Sequence, residues 1–244
     1  MSAYDRIAQL YDPWSVSVVE DVDFYVEEAV RSGGPVLELG VGTGRIAVPI
    51  ARAGVRVVGV DSSVGMLSIA LEQANRAGVE LDLRFGDLRD PPVDEQFALV
   101  LIPFRTLLHM QTDDDRRAAL AAARACLRDG GRFVFDVFTP GPDDIAATHG
   151  RWIEREPGIF ERADWNEESR TLVLRVSGNG AEAELSLAWV TIERWKELLA
   201  EAGFVVEGLY GWFDRTPYSG HEDSIWICST GSPTRTRPGS STSK

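Results

Sequence analysis

Three glycines stand at alternate positions in Glu38-Leu39-Gly40-Val41-Gly42-Thr43-Gly44, at the end of a short apolar run. A glycine turn between a strand and a helix lets the backbone approach a ligand closely. The free N–H groups at the helix start then face that ligand. Two carboxylates close later apolar runs: Asp61 after Val55–Val60, and Asp87 after Leu81–Phe85 and Gly86. Open α/β sheets bind ligands beyond the carboxyl ends of their strands, so these residues should converge. Asp61 follows Gly44 by 17 residues and is placed to accept both hydroxyls of a ribose. Asp87 can receive the amino group of a base, with the Leu88 N–H beside it.

The glycine phase separates two kinds of nucleotide. A dinucleotide turn, G-x-G-x-x-G, needs a glycine at position 45, where this chain has Arg45. Glu38, two residues before the first glycine, would repel a pyrophosphate but can attract an ammonium through water. The set suits a cationic sulfonium nucleoside with an α-amino group. Chain-turning glycines and helix-capping carboxylates would explain any one of these motifs, but not three in register.

The elements that must position them alternate. Val36–Leu39, 55–60, 81–85, 97–102 and 132–137 read as strands, and 19–31, 44–53, 64–77 and 113–127 as helices. Asp129-Gly130-Gly131 reads as the stop of the last of these helices. That rhythm means βαβ crossovers and a parallel sheet covered on both faces. After Pro140-Gly141-Pro142 the period falls toward two. Segments 152–155, 159–165, 172–177 and 183–189 read as antiparallel strands, so 141–190 is an antiparallel β insertion. A helix at 191–202, with Thr191 as N-cap and Gly203 as stop, precedes strands at 204–210 and 224–229. The expected organisation is one domain over 1–230 and a disordered tail over 231–244, which has no apolar residue.

VLELGVGTGRIAVPIA, VVGVDSSVGML, RFGDLRD, LIPFRTLLHM and LRDGGRFVFDVFTP resemble the successive motifs of class I S-adenosylmethionine-dependent methyltransferases. The resemblance runs from Tyr4 to Ser229 and is of the small-molecule type. It implies a Rossmann-like α/β fold with seven strands in the order 3-2-1-4-5-7-6, the last strand antiparallel. It implies that Gly40, Gly42 and Gly44 wrap the methionine part of S-adenosylmethionine and that Asp61 holds the ribose. Met66 would pack on the adenine, and Asp87 and Leu88 would bind its edge. The opening YDRIAQLYD is similar to an N-terminal lid, here 1–20, whose Tyr4 and Tyr11 close over the cofactor.

The acceptor half is less determined. Pro103–His109 follows the fourth strand and, in this architecture, lies beside the methyl group, with Phe104 and Arg105 as candidate acceptor contacts. Many relatives have a small polar residue where Arg105 stands; an arginine there suits an acidic acceptor or a nearby Asp or Glu. His109 and His221 are candidate general bases, with core and solvated-loop histidines as the alternative readings; His149 sits in an exposed-looking loop. Trp152 and Tyr218 belong to a group of aromatics that suggests an apolar lid facing the sulfonium.

The formal charge of −13 disfavours nucleic acid as partner. No apolar run reaches the roughly 18 residues of a membrane span, and the N-terminus lacks the order of a secretory signal. Cys126 and Cys228 have no metal-ligand or disulfide spacing. The expectation is a cytoplasmic enzyme that needs no metal, with a homodimer as its candidate assembly. It would move a methyl group to a small-molecule N or O nucleophile. A non-catalytic S-adenosylmethionine-binding or interaction protein on the same fold, and a nicotinamide-dependent oxidoreductase, are the alternatives.

Overall fold

The computed structural model describes residues 4–17, 19–220 and 223–231. The expected lid over 1–20 is therefore seen in part. His221 and most of the expected disordered tail lie outside the described residues.

Helices α1 (Tyr4–Trp14) and α2 (Glu20–Ser32) precede β1 (Val36–Leu39), α3 (Ala47–Arg52), β2 (Val57–Asp61), α4 (Val64–Ala77), β3 (Asp82–Phe85) and β4 (Phe97–Ile102). A 3-10 turn at Thr106–His109 leads into α5 (Asp113–Ala125) and β5 (Leu127–Phe138). Then come α6 (Pro142–Thr148), β6 (Trp152–Glu156), β7 (Ile159–Asn166), β8 (Thr171–Gly178) and β9 (Ala181–Ala188). The chain closes with α7 (Ile192–Glu201), β10 (Phe204–Tyr210) and β11 (Asp223–Thr230).

Seven strands form one sheet in the order β3-β2-β1-β4-β5-β11-β10, with β11 antiparallel to both neighbours. That is the expected 3-2-1-4-5-7-6 order. Strands β1 and β4 are buried at every residue, as parallel strands covered on both faces must be. One face carries Phe133, Phe135, Trp195 and Trp226; the other carries Phe24, Tyr25, Ile50 and Leu101. The insertion is a separate four-stranded antiparallel sheet, β6-β7-β8-β9. Its inner face places Val176, Ala183 and Leu185 on Ile7 and Leu10 of α1. No helix among the described residues is long and apolar enough to cross a membrane.

Three boundaries differ from the sequence reading. The helix expected from residue 44 begins only at Ala47, because Gly44 adopts φ +82°, outside the helical region. Asp129-Gly130-Gly131 does not stop a helix. It bulges within β5, shifting the register so that Phe97 pairs with Leu127 and Leu99 with Arg132. Helix α6 was missed, although Pro142 at its first position and Asp144, accepting from the Gly141 N–H at 2.9 Å, are its signals. Thr191 caps α7 as expected, accepting from the Arg194 N–H.

Candidate active site

The carboxyl ends of β1, β2 and β4, the face of α1 and the edge of β9 enclose a cavity of about 460 Å³. Its lining includes Tyr4, Tyr11, Gly40, Gly42, Asp61, Met66, Asp87, Leu88, Phe104 and His109. Ten of the residues singled out in the sequence thus meet in one place. Glu38 and Gly44 are not among its lining residues. Arg105, Trp152 and Tyr218 do not line it.

The glycine turn is held from both sides. Asp61 accepts the Gly42 N–H at 2.8 Å on one oxygen and the Ser63 N–H at 2.8 Å on the other. The Ser62 N–H is a third backbone donor to this carboxylate. Burial pushes its carboxyl up, and these N–H groups pull it back toward the charged form. A Cβ on Gly42 would meet nothing within 4 Å, so its missing side chain leaves open space at the cavity. Gly40 is different: at φ +79° its Cβ would fall 2.6 Å from Thr106 Cγ2. Gly40→Ala should therefore cost about 2 kcal/mol of stability through left-handed strain alone, with a clash added. Chemical denaturation checks this; an unchanged midpoint would contradict it.

Behind the turn lies a buried charged group. Arg45 donates to both oxygens of Asp21 in α2, at 2.7 and 2.6 Å, and lies 4.6 Å over the Phe104 ring. Glu38 is 2 % exposed, and its Oε2 has no hydrogen-bond partner. Burial pushes its carboxyl well above the ordinary carboxylate range, offset by nearby Arg45. An orphaned buried acceptor two residues before the cavity-lining Gly40 fits a ligand that brings a donor, as an α-ammonium or its bound water would.

Helix α1 forms the roof. Tyr4 and Tyr11 are seven residues apart, two turns along one face, with ring centroids 5.8 Å apart. Two carboxylates latch the helix down. Asp5 accepts from Ser63 Oγ at 2.6 Å and the Gly65 N–H at 3.1 Å; Asp12 accepts from Thr43 Oγ1 at 2.6 Å and Gln73 Nε2 at 2.7 Å. The roof is thus tied to the glycine turn and to the start of α4. Tyr4 Oη meets His109 Nε2 at 2.8 Å. Burial lowers the His109 ring to about 4, partly offset by a hydrogen bond to the Ser186 backbone, so it is neutral at pH 7. Asp87 is engaged by Arg89, which donates to it from Nε at 3.0 Å and Nη2 at 2.6 Å and holds it below the usual carboxylate range.

The turn after β4 was only half legible. Phe104 and Arg105 both have positive φ, 55° and 62°, unusual for side chains of this size. Asp136 of β5 holds them, accepting the Phe104 N–H at 2.6 Å, the Arg105 N–H at 3.0 Å and Tyr25 Oη at 2.5 Å. Phe104 consequently faces the cavity beside Tyr11, with centroids 6.2 Å apart. Arg105 instead pairs with Asp223 at 2.7 Å and lies 4.8 Å over Phe138. Asp136 was missed, although a lone charge within Phe133-Val134-Phe135-Asp136-Val137-Phe138 was its signal. Trp152 sits half-exposed on the far edge strand β6, and Tyr218 packs against the main core. His149 accepts the Trp165 N–H at 3.0 Å through Nδ1, a structural contact.

Comparison with known proteins agrees with this geometry. Residues 36–131 match a methyltransferase-domain family. The cypemycin N-terminal methyltransferase of a Streptomyces species is 25% identical over 235 residues, spanning 93% of this chain and 94% of that protein. The CcbJ methyltransferase from Streptomyces caelestis superposes with a TM-score of 0.82 at 24% identity, covering 93% of this chain and 97% of the other. CalS10 from Micromonospora echinaspora, an amino pentose methyltransferase solved with S-adenosylmethionine, has a TM-score of 0.65 at 20% identity, over 95% and 98% of the two chains. At these identities the structures establish the shared fold. Motifs, sheet order and family match together identify the chain as a class I, Rossmann-like S-adenosylmethionine-dependent methyltransferase.

Proposed function

We propose that this enzyme methylates an amine nitrogen of a small molecule, and that it acts by positioning. The observation that carries the reading is the charge of the acceptor side. Beyond the nucleoside end the cavity is lined by Tyr4, Tyr11, Phe104, Thr106, His109, Met110 and residues 184–186. Arg89 is the one arginine among the described lining residues, and it is committed to Asp87 and Asp115. With Arg105 directed to Asp223, nothing here suits a carboxylate or phosphate acceptor. Aromatic faces with no free cation beside them suit an amine. Two relatives act, by name, on an N-terminus and on an amino pentose, which supports a nitrogen acceptor.

In this reading Gly40, Gly42, Asp61, Met66, Asp87 and Leu88 hold S-adenosylmethionine, with Glu38 toward its ammonium. Bound there, it supplies an electrophilic methyl on a sulfonium whose departure as a neutral thioether needs no acid. The protein's contribution is to orient the nucleophile and exclude water. Helix α1 roofs the site, and the four-stranded sheet, through β9, bounds the acceptor, so that residues up to 230 act as one unit. His109, lowered to about 4, is a weak base for an ammonium; its role is to anchor Tyr4. His109→Gln should keep kcat within about tenfold of wild type, because a base would contribute ~10²–10⁴. A thousandfold loss would restore the general-base role. Calorimetric titration tests the cofactor half: S-adenosylhomocysteine should bind and NAD should not, and the reverse would favour an oxidoreductase.

A further inference from the structure

Asp136 fixes the backbone of the turn after β4, but backbone hydrogen bonds leave the Phe104 side-chain torsions open. The ring is fixed by what touches it. Tyr11 of the roof stands nearly perpendicular to it, at 84°. The Arg45 guanidinium carbon lies 4.6 Å from its centroid, within cation–π range. Phe104 and Tyr11 line the cavity, and Arg45 is not among its lining residues. The cation therefore supports the ring from behind the wall.

Arg45 is itself held still. Its fork donates to both oxygens of Asp21, and the two side chains are only 18% and 1% exposed. Burial works against its charge, and the bonds to Asp21 more than restore it, so the guanidinium stays a cation. Asp21 stands in the first turn of α2, and Arg45 lies between the glycine turn and α3. The pair thus sets the cation over the ring from two elements that do not themselves carry Phe104. A lysine at 45 would keep the charge, but it has no fork to grip both oxygens and no plane to stack on the ring. The glycine of a dinucleotide turn would make neither contact.

We propose that Arg45 is a positioning residue of the methyl transfer, acting through Phe104: it holds the ring as a fixed wall against the acceptor. The inference rests on the reading above that Phe104 bounds the acceptor, and not on nitrogen as the nucleophile. Two measurements on the full chain test it. In the NMR spectrum of protein carrying ring-¹³C phenylalanine, the Phe104 signal, assigned by its loss in Phe104→Leu, should move in Arg45→Lys. Turnover is read as label passed from saturating methyl-¹³C S-adenosylmethionine into a metabolite extract. Arg45→Lys and Phe104→Leu should each be about tenfold slower than wild type, while both bind S-adenosylhomocysteine within about threefold of it. The double variant should be no slower than Phe104→Leu alone, because both changes remove one contact. If Arg45→Lys does not fold, Arg45→Gln with Asp21→Asn removes both charges together, strands neither, and carries the same expectations. An unmoved Phe104 signal, losses that multiply in the double variant, or affinity for S-adenosylhomocysteine falling in step with turnover overturns the proposal. The two readings fail separately. Wild-type turnover in Phe104→Leu removes the wall itself; slow turnover there with wild-type turnover in Arg45→Lys removes only the role of Arg45.

Discussion

Asp61→Asn should lower affinity for S-adenosylhomocysteine by about 100-fold, or ~3 kcal/mol. Both oxygens of Asp61 already accept a backbone N–H, from Gly42 and from Ser63. The ribose hydroxyls would add two charge-assisted bonds, each worth about 1.5–3 kcal/mol. An asparagine in the same volume offers one acceptor and turns an NH₂ toward a backbone donor. It thus loses the ribose and loosens the glycine turn together. Calorimetric titration at pH 7, with a thermal melt to confirm folding, reads the effect. A folded variant that binds within threefold of wild type would remove Asp61 from the cofactor site.

Asp136→Asn should leave that affinity nearly unchanged but lower kcat by about 10- to 100-fold, because misplacing one wall of a reacting site is costly in rate. The carboxylate accepts two consecutive N–H groups from a turn whose residues both have positive φ. Asn cannot serve both donors and Tyr25, so the turn relaxes and the Phe104 ring leaves its place. Burial pushes the Asp136 carboxyl up to about 6, against the pull of the Tyr25 hydroxyl and the Phe104 N–H. An amine acceptor makes log kcat/KM fall with slope one as pH drops. Below about pH 6, protonation of Asp136 should steepen the wild-type slope, and Asp136→Asn should keep slope one down to pH 5. Superimposable profiles would contradict the positioning role.

The linkage has a definite sign. The unfolded carboxyl titrates at about 3.9 and the folded one at about 6. The folded state therefore binds an extra proton between those values. The stability Asp136 contributes is present below about pH 4 and is lost as pH rises through 6. His109 runs the other way: lowered to about 4, it contributes stability above its unfolded value of about 6.5, lost as pH falls toward 4.

The convergence of the strand-end residues on one cavity was legible because each signal is local. Each strand end carries its own residue, Gly40 to Gly44 after β1, Asp61 as the last residue of β2 and Asp87 after β3, and the parallel sheet brings strand ends together. The parallel sheet followed from alternation, and its strand order from the resemblance. The acceptor half is assembled from distant segments. Tyr4 meets His109 across 105 positions and Tyr25 meets Asp136 across 111, and no spacing rule connects such pairs. Arg45 was read only as a non-glycine, yet its guanidinium ties α2 to Phe104. Trp152 was read into the acceptor wall on composition. Strand order instead puts β9 at the cavity and β6 at the opposite edge.

Transfer of the methyl group to nitrogen, proposed above, can be read from the product itself. The most direct measurement is incubation of the protein with methyl-¹³C S-adenosylmethionine and a metabolite extract, with the product's label located by NMR and mass spectrometry. One ¹³C-methyl on an amine nitrogen is expected for each S-adenosylhomocysteine formed. Label on oxygen or carbon, or no transfer by protein that binds S-adenosylhomocysteine tightly, would contradict it.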